Sequence, residues 1–181
     1  MLDDRLRTAP VPEDEAIFQE IERIAACPIP PSLQAFWRIV GGINFVWDYN
    51  CDVPLPGFGT DIPLDEMDPL CIDPPAAVTH VFETWEDQKN VPDPDLIDPF
   101  HVDLAPDHLH KANISGGPPY GVELPFLGAD PILHGERHGL PFMDYLRMSF
   151  RWAGFPGLQY WRDKDSAMRL AAQLGAGLEP F

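Results

Sequence analysis

A change of hydrophobic period at a glycine pair constrains this chain more than any other feature. Pro30 and Pro31 are excluded from a helix interior but suit its entrance, and Ser32 is placed to cap it. Leu33, Phe36, Trp37 and Val40 follow at i, i+3, i+4 and i+7 and so share one helical face. Gly41 and Gly42 end the helix, because glycine reaches a left-handed cap without steric penalty. From Ile43 the period falls to two. Ile43, Phe45, Trp47 and Tyr49 alternate with Asn44, Val46 and Asp48, the pattern of a strand with one buried face. A short helix hinged on two glycines against an aromatic strand nucleates a core. It carries no catalytic motif.

The rest of the chain reads as short elements between ordered loops. Proline accounts for 22 of the 181 residues, more than twice the usual share of roughly 5%. A first helix starts near Pro12, with Glu13, Asp14 and Glu15 in its first turn and Ile17, Ile21 and Ile24, beside Phe18 and Ala25, as its apolar stripe. Cys51 to Pro69 is a loop, and Leu70-Cys71-Ile72 a brief strand. Asp73 then caps a helix with Pro74 at its first position and Val78, Val81, Phe82 and Trp85 on one face. Phe100, Val102 and Leu104 mark a second strand, and Tyr120, Val122 and Leu124 a third. A helix beginning around Pro141 turns Phe142, Leu146, Ser149 or Phe150, and Ala153 inward. The last helix follows Asp163 or Asp165, with Ala167, Leu170, Ala171 and Leu174 inward and Gly175 at its end. Strands mixed irregularly with helices predict an α+β fold, one domain over residues 1–181 with 1–10 loosely held.

Charge narrows the functional classes. The net charge is −17, and it is unevenly placed. Residues 44–107 hold 15 acids and the single base Lys89, a net −14, against 14 acids and 11 bases elsewhere, a net −3. Such a field repels nucleic acid and anionic membrane and steers basic partners, although solubility alone also favours an acidic surface. No charged-then-apolar leader and no apolar run near the ~20 residues of a membrane helix is present. Cys27, Cys51 and Cys71 are odd in number and widely spaced, which fits buried thiols in a reducing compartment. A cytoplasmic protein is the expectation.

Candidate chemistry is sparse. His134 and His138 bracket Glu136 in His134-Gly135-Glu136-Arg137-His138, with Asp130 nearby, but Gly135, Gly139 and Pro141 make this a loop rather than a helical zinc pair. As a plain polar loop it would leave both imidazoles in solvent. His101, Asp107, His108 and His110 form a second cluster of the same standing. The four serines lie outside any nucleophile elbow, and there is no phosphate-binding loop or dinucleotide fingerprint, so no cofactor or metal is assigned. Recognition remains. Trp47, Asp48, Tyr49, Asp52 and Asp61 set aromatics beside acids, as interfaces favour, though Trp47 and Tyr49 suit a core equally well.

Three ordered blocks resemble one family. Ile29-Pro30-Pro31-Ser32-Leu33, Phe36-Trp37 and Gly41-Gly42 before a strand are similar to the signature of the SUKH superfamily, with Val40 where many members carry asparagine. Lys111 to Gly117, with Tyr120 and Leu124-Pro125, is similar to bacterial members, as is Phe142 to Gly157 with Tyr145-Leu146-Arg147 and Gly154-Phe155-Pro156-Gly157. The superfamily includes Knr-type cell-wall assembly regulators and bacterial immunity-like proteins. The resemblance implies a twisted, mostly antiparallel sheet with helices around it. It also implies a non-enzymatic module that caps a protein partner, such as a basic toxin domain, through its acidic surface. A housekeeping interaction role, a small metal-dependent hydrolase built on His134, Glu136 and His138, and a small-ligand pocket lined by aromatics are the alternatives. The oligomeric state is left open.

Overall fold

Helix α1 spans Asp14–Ala25 and buries Phe18, Ile21, Ile24 and Ala25, while Ile17, the first member of the expected stripe, is only partly buried. Its entry is tied by Asp14, whose carboxylate accepts from the Val11 amide at 2.9 Å. Helix α2 spans Pro31–Ile39 and buries Leu33, Phe36 and Trp37. The Trp37 ring stacks on Phe18 with centroids 5.7 Å apart, and Phe36 meets Phe142 edge-on at 5.5 Å. These contacts place α2 between α1 and the C-terminal helices. The cap of α2 is Pro30, not Ser32, which sits inside the first turn with its amide donating to the Ala129 carbonyl at 3.0 Å. Gly41 has φ +84°, and a Cβ there would overlap the Thr8 carbonyl, so only glycine suits this turn.

The computed structural model describes residues 6–46, 64–88 and 99–176. Within them β2 is Gly42–Asn44, shorter than the strand to Tyr49 that the alternation predicts. The Asn44 side chain accepts from the Val46 amide at 2.7 Å, an Asx turn that takes the backbone out of the ladder. Trp47 to Tyr49 lie outside the described residues. Strand β1 is Arg7–Thr8, within a segment expected to be loosely held. It is fixed by pairing with β2 and by the Arg7 guanidinium, which donates to the Ile39 and Val40 carbonyls at 2.9 and 3.0 Å. Strand β3, Cys71–Ile72, completes an antiparallel sheet in the order β1-β2-β3. Helix α3, Leu64–Met67, precedes it in a stretch read as loop.

After β3 the chain enters a 3₁₀ turn, Pro75–Thr79, that runs into α4, His80–Gln88. Asp73 does not cap it; Pro74 holds the cap position, and the Asp73 carbonyl instead accepts from the Trp37 indole at 3.0 Å. Strands β4, Phe100–Ala105, and β5, Tyr120–Leu124, form a separate antiparallel pair, with His101 opposite Glu123 and Asp103 opposite Gly121. The connection between them contains a short helix not expected from the sequence, α5, His108–Lys111. The Asp73 amide donates to the Leu104 carbonyl at 2.6 Å and joins the two strand systems. Helix α6, Phe142–Arg151, buries Phe142, Tyr145, Leu146 and Ser149, which leaves Phe150 outward. A 3₁₀ turn at Pro156–Tyr160 leads to α7, Lys164–Leu174, capped by Asp163, with Ala167 and Leu170 buried.

The architecture is α+β, with two small antiparallel sheets and helices packed around them. The larger core runs from Phe18 to Leu146, and a smaller one joins Met67, Phe155, Leu158, Trp161, Ala167 and Leu170. Among the described residues no helix is long and apolar enough to cross a membrane.

Candidate functional site

The β4–β5 pair presents one open face under the start of α4. Phe100, Val102 and Leu104 are buried, so the intervening His101 and Asp103 point the other way. Gly121 stands opposite Asp103, and a Cβ there would overlap both the His101 ring and the Val102 carbonyl. Glycine thus lets His101 lie close against β5. In that position His101 Nδ1 is 2.7 Å from Asp103 Oδ1. From above, His80 brings Nε2 to 3.4 Å from Asp103 Oδ2, while its Nδ1 is held 2.8 Å from the Ala77 carbonyl oxygen.

These groups border a cleft of about 390 Å³. Trp85 borders it with Val81 and Pro99, and the buried Phe100 ring lies behind Trp85, the two ring centroids 5.4 Å apart and tilted by 54°. Pro118, Pro119 and Glu123 complete the lining. The volume falls in the range of sites that hold a side chain or small ligand, roughly 300–1,000 Å³. Burial raises the carboxyl of Asp73, just before the 3₁₀ turn, above the usual range, opposed by the Cys71 thiol and His80. The cleft therefore combines an aromatic ring, carboxylates and two imidazoles.

The histidine loop does not assemble a metal site. His134 Nε2 lies 4.0 Å from Glu123 Oε2, on the cleft side of β5, while His138 Nδ1 turns to Glu136 Oε2 at 2.8 Å. The expectation of two solvent-exposed imidazoles holds only for His134. The His138 side chain is 4% exposed and stacks near Tyr160, with ring centroids 4.8 Å apart. Burial pushes the Glu136 carboxyl up, but the His138 ring and the Leu140 and His138 amides outweigh it and hold it below the ordinary range. The second cluster divides as well. Asp107 caps α5 by accepting from the Leu109 amide at 2.9 Å and bonds the His110 ring, far from the His101–Asp103 pair in role. Burial raises the Asp107 carboxyl, and His110 with the Leu109 amide overcomes this to lower it. Among the described residues no group of three His, Cys, Asp or Glu side chains could hold a metal ion. Trp47, Asp48, Tyr49, Asp52 and Asp61, the aromatic and acidic contact set, lie outside the described residues.

A buried polar cluster went unread in the sequence. Lys111 Nζ lies 2.7 Å from Asp68 Oδ1, with both side chains fully buried. The Tyr120 hydroxyl donates to Asp68 Oδ2 at 3.2 Å and accepts from the His108 amide at 3.1 Å, and the ammonium sits 4.4 Å from the Tyr120 ring centroid. The available signal was Lys111 itself, the lone Lys or Arg between Lys89 and Arg137. The cluster ties the end of α3 to α5 and is closed to solvent, so it holds the fold rather than a ligand. Compared with known proteins, the chain matches no family model, no curated protein and no solved structure.

Proposed function

We propose that this chain is a non-enzymatic protein-binding module of the immunity type, which caps a basic protein partner through an acidic surface. The observation that carries the reading is the cleft itself. It sets the Trp85 ring beside Asp103 and Glu123 in a recess large enough for a partner's side chain. Aromatic anchors within a charged rim are the features that concentrate binding energy at interfaces. The net charge of −14 over residues 44–107 adds long-range attraction for a basic partner and speeds encounter at low salt. The blocks around Ile29-Pro30-Pro31 and Gly41-Gly42 that resemble SUKH proteins support the same role.

Affinity capture from native lysate tests this, using the wild type and a double variant, Asp103→Asn with Glu123→Gln. The wild type should retain a defined basic polypeptide at low salt and lose it at about 0.5 M salt, where the Debye length is roughly 4 Å. The double variant should retain less of the same polypeptide at low salt. Recovery of no basic polypeptide, or of one indifferent to both salt and the variant, would sink the reading.

A further inference from the structure

Three imidazoles stand within ion-pair range of the two carboxylates, Asp103 and Glu123, that line the cleft. His80 Nε2 lies 3.4 Å from Asp103 Oδ2, His101 Nδ1 2.7 Å from Asp103 Oδ1, and His134 Nε2 4.0 Å from Glu123 Oε2. His101 is opposite Glu123 in the register and His134 opposite Gly121, so these side chains share one face of the strands, with His80 above it. Each ring can change charge in place. The Ala77 carbonyl oxygen, 2.8 Å from His80 Nδ1, only accepts, so that nitrogen keeps its proton in both the neutral and the charged ring, and the proton exchanged is the one on Nε2. His101 donates to Asp103 through Nδ1 and likewise leaves Nε2 to exchange. The three side chains are 64%, 30% and 43% exposed, so protons reach them without unfolding.

We propose that the cleft is a pH-controlled docking site, which holds a basic partner near neutral pH and releases it toward about pH 5.5 as His80, His101 and His134 take up protons. The proposal rests on the protein-binding reading above and adds its regulation. The sign follows from charge. Imidazole ordinarily titrates between about pH 5 and 8, a window over which carboxylates stay ionised. Two carboxylates beside three imidazoles give a formal −2 with the rings neutral and +1 with all three charged. A cation is therefore attracted at the alkaline end and repelled at the acid end. Asp73 and Lys111 act on the same groups from the 3₁₀ side without reversing this swing, and Lys111 is committed to Asp68. His108 and His110 lie against Asp107 on α5, outside the cleft. Each exposed pair contributes little alone, so control comes from the three rings acting together.

The test is a titration of the full chain with a blocked octalysine peptide, followed by amide NMR at about pH 7.5 and about pH 5.5 in roughly 0.1 M salt, where the Debye length is about 10 Å. Lysine keeps its charge across this range, so any pH dependence belongs to the chain. At the higher pH the shifts should concentrate in the 80–85, 100–103 and 121–123 segments. At the lower pH binding should weaken by about tenfold, the combined effect of three partly exposed charges. The triple variant His80→Gln, His101→Gln and His134→Gln should bind about equally at both values. His134→Gln alone, which leaves the Asp103 contacts in place, should shrink the tenfold change to about fivefold, and it serves if the triple variant does not fold. Binding as tight or tighter at the lower pH, an unchanged pH response in the variants, or shifts centred elsewhere would each overturn the proposal. If octalysine shows no pH response while the basic polypeptide is still captured in a salt-sensitive way, the pH control falls and the binding reading stands. Failure of both experiments removes both.

Discussion

Replacing Lys111 with methionine keeps most of the side-chain volume and removes one charge from the interior. The Asp68 carboxylate would then be buried with the Tyr120 hydroxyl, 3.2 Å from Oδ2, in place of the ammonium 2.7 Å from Oδ1. Both side chains of the pair are fully buried, so little water reaches either charge to compensate. Removing one partner of such a pair costs about 3–5 kcal/mol, because the surviving charge keeps its desolvation penalty and loses its counter-ion. In a chain of this size each kcal/mol moves the melting temperature by about 2–4 °C, so the expected drop is on the order of 6–20 °C. Asp68→Asn should lose a similar amount by stranding the ammonium. Asparagine is the right replacement, since Asp68 has φ 46° and Asn tolerates that left-handed region. The double variant should lose clearly less than the sum of the singles, because no unpaired charge remains. Urea denaturation followed by circular dichroism, with the denaturant slope compared across variants, measures all three. A Lys111→Met variant within about 1 kcal/mol of the wild type, or strictly additive singles, would refute the account of a paired, desolvated core.

Glu136 and Asp107 both have carboxyls held below the ordinary range in the folded chain. A carboxylate of this kind stabilises above its unfolded pKa, and that contribution is lost as pH falls through the lower folded value, so stability should decline below about pH 4. Glu136→Gln should shallow that acid limb, and an identical limb in the variant would count against the assignment. Cys71 behaves in the opposite sense: burial, helped by Asp73, pushes its thiol up to about 12. Its contribution is complete below the unfolded thiol value of about 8.5 and is lost as pH rises toward the folded value. At pH 8 Cys71 should resist iodoacetamide until denaturant is added, as read by peptide mapping; equal labelling with and without urea would contradict this. Gly121→Ala should lose about 1–3 kcal/mol by forcing a methyl against the Val102 carbonyl and the His101 ring. It should also displace His101 from Asp103, and an unchanged melting temperature would show that the strands yield at no expense.

Local patterns in the chain identify elements well where one buried face repeats. Phe18, Ile21 and Ile24, then Leu33, Phe36 and Trp37, and the alternating positions of β4 and β5 are buried as their spacing predicts. Periodicity does not report where a side-chain hydrogen bond interrupts a pattern. Asn44 ends β2 through its own carboxamide, and Asp107 starts α5 in the connection between β4 and β5. The site is harder still, because its parts are remote in sequence. His80, His101, Asp103 and Glu123 belong to α4, β4 and β5, and only the antiparallel register brings them to one cleft. His134 and His138, close in sequence, diverge because Glu136 captures the second ring from inside the loop.

The acids in the middle of the chain differ in what they touch. A count of charges treats all 15 acids of residues 44–107 as one field. The structure assigns several of them to internal work. Asp68 is neutralised by Lys111 in the core, Asp107 is committed to the cap of α5 and to His110, and Asp73 is drawn inward beside Cys71. Asp103 instead borders the cleft, with His101 Nδ1 2.7 Å from one oxygen and His80 Nε2 3.4 Å from the other. In the proposed binding role, net charge would set the range over which a basic partner is attracted, while the Asp103 carboxylate at the cleft would set where it docks. A charge reversal elsewhere in the segment should slow association and steepen nothing at the cleft, whereas Asp103→Asn should speed dissociation and leave the salt dependence of association almost unchanged. Stopped-flow measurements on the captured partner separate the two. Equal effects of both substitutions on the association rate would mean that the acids act only as a diffuse field.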